Sequence, residues 1–186
     1  MIRRRTQRQT APGGPDRSRA IDFGWRVHAA QEAWTAKVDV KASIVLALDG
    51  ALLAAIIGGH NNDGVFADLT GWRNVVHGIS AILVFIALVL AAAAVIPLLG
   101  RSSSHERDHA QHLIYFGHLR HWDPNSLAVR LQGLTQTAET EQLATQLVAM
   151  SKRNWRKHRF LQFAICLTAT SVLLLALAAL WPHFQC

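Results

Sequence analysis

Asp49 stands inside the apolar run KASIVLALDGALLAAII, residues 41–57, where an ionisable group is expensive. At the centre of a membrane helix an aspartate costs roughly 2.5–3.5 kcal/mol, and each Leu, Ile or Val around it returns roughly 0.3–0.6 kcal/mol. The eight such residues in the run nearly cancel the penalty, so this helix inserts only with help from its neighbours. Two roles fit the carboxyl. One is a proton or ion relay; the other, preferred here, is a hydrogen-bonded group that glues helices, with His77, Thr168, Thr170 or Ser171 as partners. Gly50, Ala54 and Gly58, with Ala47, Ala51 and Ala55 beside them, give small-residue faces that let helices approach closely, within one chain or between chains.

His105, His109 and His112 follow at spacings of four and three on an expected helix, with Glu106, His118 and His121 nearby. Three imidazoles on one face could hold zinc or iron. Membrane oxygenases of the histidine-box type carry several such boxes and more spans, and here there is one. Solvated interfacial histidines are the preferred reading, with pH sensing as a further one, and no metal or other cofactor is expected. Tyr115, Phe116, Gly117, His118 and Arg120, followed later by Arg153, Arg156 and Lys157, offer rings that can stack on a base and cations that can pair with a phosphate. The same residues also suit aromatic packing and orienting charge. Residues 101–158 contain no nucleophile with a local base, no GxSxG and no Walker-type glycine loop, so an enzyme is not expected.

The elements that carry these groups are read from hydropathy. The chain has 186 residues, is 51% hydrophobic, and concentrates its charges at the ends of apolar blocks. Val75–Gly100 and Phe160–Trp181 contain no Asp, Glu, Lys or Arg, and each is long enough to cross a hydrocarbon core. Ser43–Gly59 is shorter and carries Asp49. No small-residue cleavage pattern closes a short apolar core, so a cleaved signal peptide is not expected. The net charge of +7 is spread as an orientation signal rather than as a nucleic-acid surface. Arg3, Arg4, Arg5, Arg8, Arg17, Arg19, Arg26, Lys37 and Lys41 precede the first run, and Lys152, Arg153, Arg156, Lys157 and Arg159 precede the third. His60–Asn74 has Asp63 and Asp68 against Arg73 alone. The positive-inside rule places the amino terminus and Arg101–His158 in the cytoplasm, and the basic flanks also suit anionic lipid. Cys166 falls within the third run and Cys186 is the last residue, roughly 30 Å away along a helix, so the two do not bond within one chain.

The expected order is a disordered basic tail over 1–20, a cytoplasmic amphipathic helix over 21–42, a first span over 43–59 and an external loop over 60–74. A second span over 75–100, a cytoplasmic helical segment over 101–158, a third span over 159–182 and an external tail over 183–186 complete it. Asp22 can start the first helix, in which Val27, Ala30, Trp34, Val38, Ala42 and Val45 recur at spacings of three and four. Pro97 near the inner end of the second span and Gly100 suit a kink and a stop, and Asp123-Pro124 is a cap followed by a favoured first helical residue. Leu127, Leu131 and Leu134 line one face, and Leu143, Leu147, Met150 and Trp155 another that runs without Gly or Pro into the third span. The fold class is all-α: a membrane protein of about three transmembrane helices with a small helical cytoplasmic domain.

Three blocks in this order resemble the transmembrane effectors of bacterial Pycsar antiphage systems. They are KASIVLALDGALLAA at 41–55, HLIYFGH at 112–118 and QLVAMSKRNWRKHRFLQF at 146–163, and the likeness extends over roughly Trp25 to Trp181. The extended Arg-rich tail is not part of that pattern. The resemblance implies a multi-pass protein of the inner membrane and a partner cyclase that makes cyclic UMP or cyclic CMP on phage infection. The effector would sense that nucleotide and damage the membrane as a homo-oligomer, killing the cell before phage matures. It also implies that Tyr115, Phe116, His118, Arg120, Arg153 and Lys157 hold the ligand or transmit its occupancy, and that Asp49, Gly50, Ala54 and Gly58 belong to a moving membrane contact. Two other classes remain open: a ligand-independent holin-like or scaffold protein, and a metal-dependent membrane enzyme built on His105, His109 and His112.

Overall fold

The computed structural model describes residues 17–59, 69–97 and 102–180. The expected tail up to residue 16, the loop residues 60–68, residues 98–101 and the carboxyl-terminal residues from 181, Cys186 among them, lie outside the described residues. Among the described residues six α-helices follow in order: α1 Arg17–Gly58, α2 Trp72–Val95, α3 Ser102–Asp108, α4 Phe116–Leu119, α5 Pro124–Gln132 and α6 Gln136–Leu180, with a 3-10 turn at His109–Gln111. Among the described residues there is no strand, and the class is all-α. Among the described residues three helices, α1, α2 and α6, are long and apolar enough to cross a membrane.

Local chemistry sets the helix ends. Gly71 precedes α2 at φ 59°, a left-handed conformation that glycine adopts without a Cβ penalty. Val95 ends α2 two residues before Pro97, and Ile96 between them is extended, as a residue preceding proline is driven to be. At α5 the Asp123 carboxylate accepts a hydrogen bond from the Ser126 backbone N–H at 3.0 Å, with Pro124 in the first turn. The α1 helix already runs from Arg17, five residues ahead of the expected start at Asp22, so residues 17–20 of the expected tail are helical.

The chain divides into two compact units, one formed by the described residues 17–29 and 102–148 and the other by 30–59, 69–97 and 149–180. Helices α1 and α6 each contribute to both. In the first unit, the start of α6 packs on the start of α1. Gly24 leaves room for Leu143, whose Cδ2 would lie 2.3 Å from a Cβ there, and Trp25 Nε1 donates to Glu139 at 3.3 Å. Gln142 pins the turn before α4: its Oε1 accepts from the Leu113 N–H at 3.0 Å, and its Nε2 donates to the Gln111 carbonyl.

The second unit holds the three long apolar helices. Side chains of α1 and α6 meet in ascending order on both, so these two run parallel, and α2 runs antiparallel to them. Ser80, Val84, Ala87, Ala91 and Ala94 of α2 are fully buried at spacings of four and three. Ala87, Ala91 and Ala94 meet Val38, Ala42 and Val45 of α1 and Leu161 and Ala164 of α6. Small side chains permit this close approach, and dispersion contacts supply the gain where lipid would solvate apolar groups equally well. Outward, Ile44, Leu48, Ile82, Phe85, Val89 and Leu173 are exposed, an apolar surface suited to lipid.

Candidate functional site

The aromatic and histidine side chains of 105–122 gather into one cluster in the first unit. The expected helix carrying His105, His109 and His112 ends at Asp108, His109 opens the 3-10 turn, and His112 is extended. The three imidazoles are therefore divided. His105 Nδ1 lies 3.1 Å from His118 Nε2, and the His112 and His118 rings lie 4.4 Å apart, whereas His109 turns to Trp122. Among the described residues no three His, Cys, Asp or Glu side chains are arranged to hold a metal ion. Tyr115 packs against His105, Phe116 and His118. Gly117 is buried, and a Cβ there would stand 2.4 Å from the Tyr115 ring. His118 Nδ1 is buried with no hydrogen-bond partner among the described residues, while Phe116 is exposed and Arg120 donates to His121 at 3.0 Å.

Arg153 and Lys157 lie on α6 in the second unit, Lys157 in a polar seam between α1 and α6. Gln31 Nε2 donates to Ser151 at 3.0 Å, Thr35 Oγ1 lies 2.6 Å from Asn154 Oδ1, and Lys157 Nζ donates to Asp39 at 2.6 Å. Positions 31, 35 and 39 match 151, 154 and 157 because both spacings follow one helical face. The seam was missed in the sequence, where Trp34 and Trp155 fit the apolar stripes by spacing. Polar residues recurring every three or four on both helices were the available signal.

Ten residues beyond Asp39, the carboxyl of Asp49 is fully buried. Of the partners considered for it, Thr168 is in reach, its Oγ1 2.7 Å from Asp49 Oδ1 and 3.0 Å from the Ala164 carbonyl. Ser171 donates instead to the Ser80 carbonyl at 3.1 Å, and Thr170 to the Cys166 carbonyl at 2.8 Å. Asp49 Oδ2 has no partner among the described residues. Of the small residues, Gly50 is half-buried and a Cβ added there would meet Leu88 at 3.9 Å, an ordinary contact, while Ala54 and Gly58 are exposed, as are Ala47, Ala51 and Ala55.

Three long apolar helices and a small histidine-rich unit are the elements that carry these sequence blocks. A family model described as the Pycsar effector protein domain, PycTM, matches residues 23–183. The chain belongs to the Pycsar effector family. The match takes in both units and all three long helices. No curated protein and no solved structure matches the chain. As a Pycsar effector transmembrane protein it is a membrane protein, its family is not a known family of enzymes, and the system to which such effectors belong includes a cyclase.

Proposed function

We propose that this Pycsar effector senses a cyclic pyrimidine nucleotide, cyclic UMP or cyclic CMP, made by its partner cyclase during phage infection, and then breaches the inner membrane. The family match over 23–183 is the observation that carries the reading. The amino terminus and the small-helix unit face the cytoplasm, where the nucleotide is made, in keeping with the basic residues that flank the spans. Tyr115 and Phe116 offer rings for the base, and His118 Nδ1 is a polar atom still available to it. Arg120 supplies positive charge for the cyclic phosphate. Lys157 is held by Asp39, so it and Arg153 transmit occupancy along α6 rather than close on the ligand. The exposed face of Ala47, Ala51, Ala54 and Gly58 serves self-association in the active state.

A ligand drives such a change only through its higher affinity for the active state. With the full chain reconstituted in liposomes, either cyclic UMP or cyclic CMP should release trapped dye. His118→Ala and Arg120→Ala should each weaken nucleotide binding by about tenfold, the equivalent of about 1.4 kcal/mol. Folded protein that stays tight with both nucleotides would exclude the reading, and leakage without any nucleotide would favour a ligand-independent, holin-like protein.

A further inference from the structure

Trp34 and Trp155 stand on the outside of the second unit, 57% and 70% exposed, while Gln31, Thr35, Asn154 and Lys157 face each other inside. A helix pair surrounded by water has the opposite order, apolar within and polar without. Tryptophan outside a polar seam is the order favoured at a lipid headgroup layer. The outward side of α6 also carries Lys152, Arg156 and Arg159, at spacings of four and three and therefore on one face. Among the described residues no carboxylate forms an ion pair with any of the three, whereas the inward Lys157 is paired with Asp39. These cations and Trp155, Phe160 and Phe163 line an open groove of about 820 Å³. The Arg159 guanidinium sits 5.5 Å from the Phe163 ring centre. From Phe160 to Leu180 the helix bears no Asp, Glu, Lys or Arg, so one end of the groove is cationic and the other continues into the span.

We propose that this groove is a binding site for an anionic phospholipid. Lys152, Arg156 and Arg159 hold the phosphodiester headgroup, and the upper part of an acyl chain lies along Phe160 and Phe163. A small soluble anion would use the cationic end and leave the aromatic end uncovered; a phospholipid matches both. The site is separate from nucleotide sensing, and no nucleotide is needed to test it.

The test uses the full chain in phosphatidylcholine nanodiscs with or without phosphatidylglycerol, with retained lipid counted by native mass spectrometry. Wild-type protein should retain phosphatidylglycerol in preference to phosphatidylcholine. Lys152→Gln, Arg156→Gln and Arg159→Gln should each reduce that preference by about fivefold. Lys37→Gln and Lys41→Gln, which remove exposed charge from α1, should change it by less than about twofold. Equal losses in the two sets would mean diffuse attraction and overturn the site, as would displacement of the lipid by inorganic phosphate or cyclic UMP. An independent measurement on unaltered protein is tryptophan quenching. Brominated phosphatidylglycerol should quench more strongly than brominated phosphatidylcholine, and Trp155→Phe should remove the difference; equal quenching in wild-type protein would also overturn the proposal.

Discussion

His118 combines three constraints at one residue. Its Nε2 meets His105, its Nδ1 is buried without a partner among the described residues, and its ring lies against Tyr115. Burial first, and then the nearby imidazoles of His112 and His105, push its pKa below the ordinary value of 6.5, although the contact with His105 and the charge of Asp108 oppose the shift. The unfolded chain then takes up the proton more readily than the folded one, so stability is full above 6.5 and falls as the pH drops toward the folded pKa. Hydrogen-exchange protection over 102–148 should decline on acidification through that window, and His118→Gln should flatten the decline. An unchanged slope in the variant would assign the effect to other histidines. The block 112–118 was legible as a motif, but the reason for Gly117 was not. A residue that must lack a Cβ because a ring two positions earlier folds over it is visible only in three dimensions.

Among the elements, α1 and α6 are joined by side chains that sequence periodicity assigned to the outside. Trp34 neighbours Thr35 on one helix, and Trp155 neighbours Asn154 on the other. A turn of 3.6 residues leaves either member of such a pair able to face inward, and hydropathy favours the tryptophan. The opposite choice is made because hydrogen-bonding groups on the two helices match rung by rung. Asp39 and Lys157 are the rung nearest the apolar core, with side chains 37% and 13% exposed. Their partial exposure limits the ion pair to about 1 kcal/mol or less. Asp39→Lys and Lys157→Asp should each destabilise the protein in detergent, and the double swap should recover part of the loss. A swap no more stable than either single variant would show that the pair does not couple.

For the whole molecule, the two helices that form this seam also reach into both compact units. Asp49 lies in the membrane-spanning part of one of them, joined to Thr168 of the other. Intramembrane polar contacts of this kind are worth about 0.6 kcal/mol on average, enough to bias a switch without locking it. Asp49→Leu should therefore leave nucleotide affinity within about twofold of wild type while shifting the nucleotide concentration that releases dye. Lost binding would show that Asp49 acts on the ligand unit instead.

The sequence by itself determined the all-α class, three helices capable of spanning a membrane and the Asp123-Pro124 cap, because each depends on the local chain. It also presented Asp49 as a costly carboxyl in need of a neighbour. Only the tertiary structure selected Thr168 as that neighbour, buried Ser80, Ala87, Ala91 and Ala94 of α2 in the packing surface, and left Ala54 and Gly58 exposed. In lipid, an apolar side chain is nearly as well solvated outside a helix bundle as within it, so hydropathy cannot say which face turns inward. Close fit and hydrogen-bond matching between distant segments make that choice, and both are properties of the assembled helices.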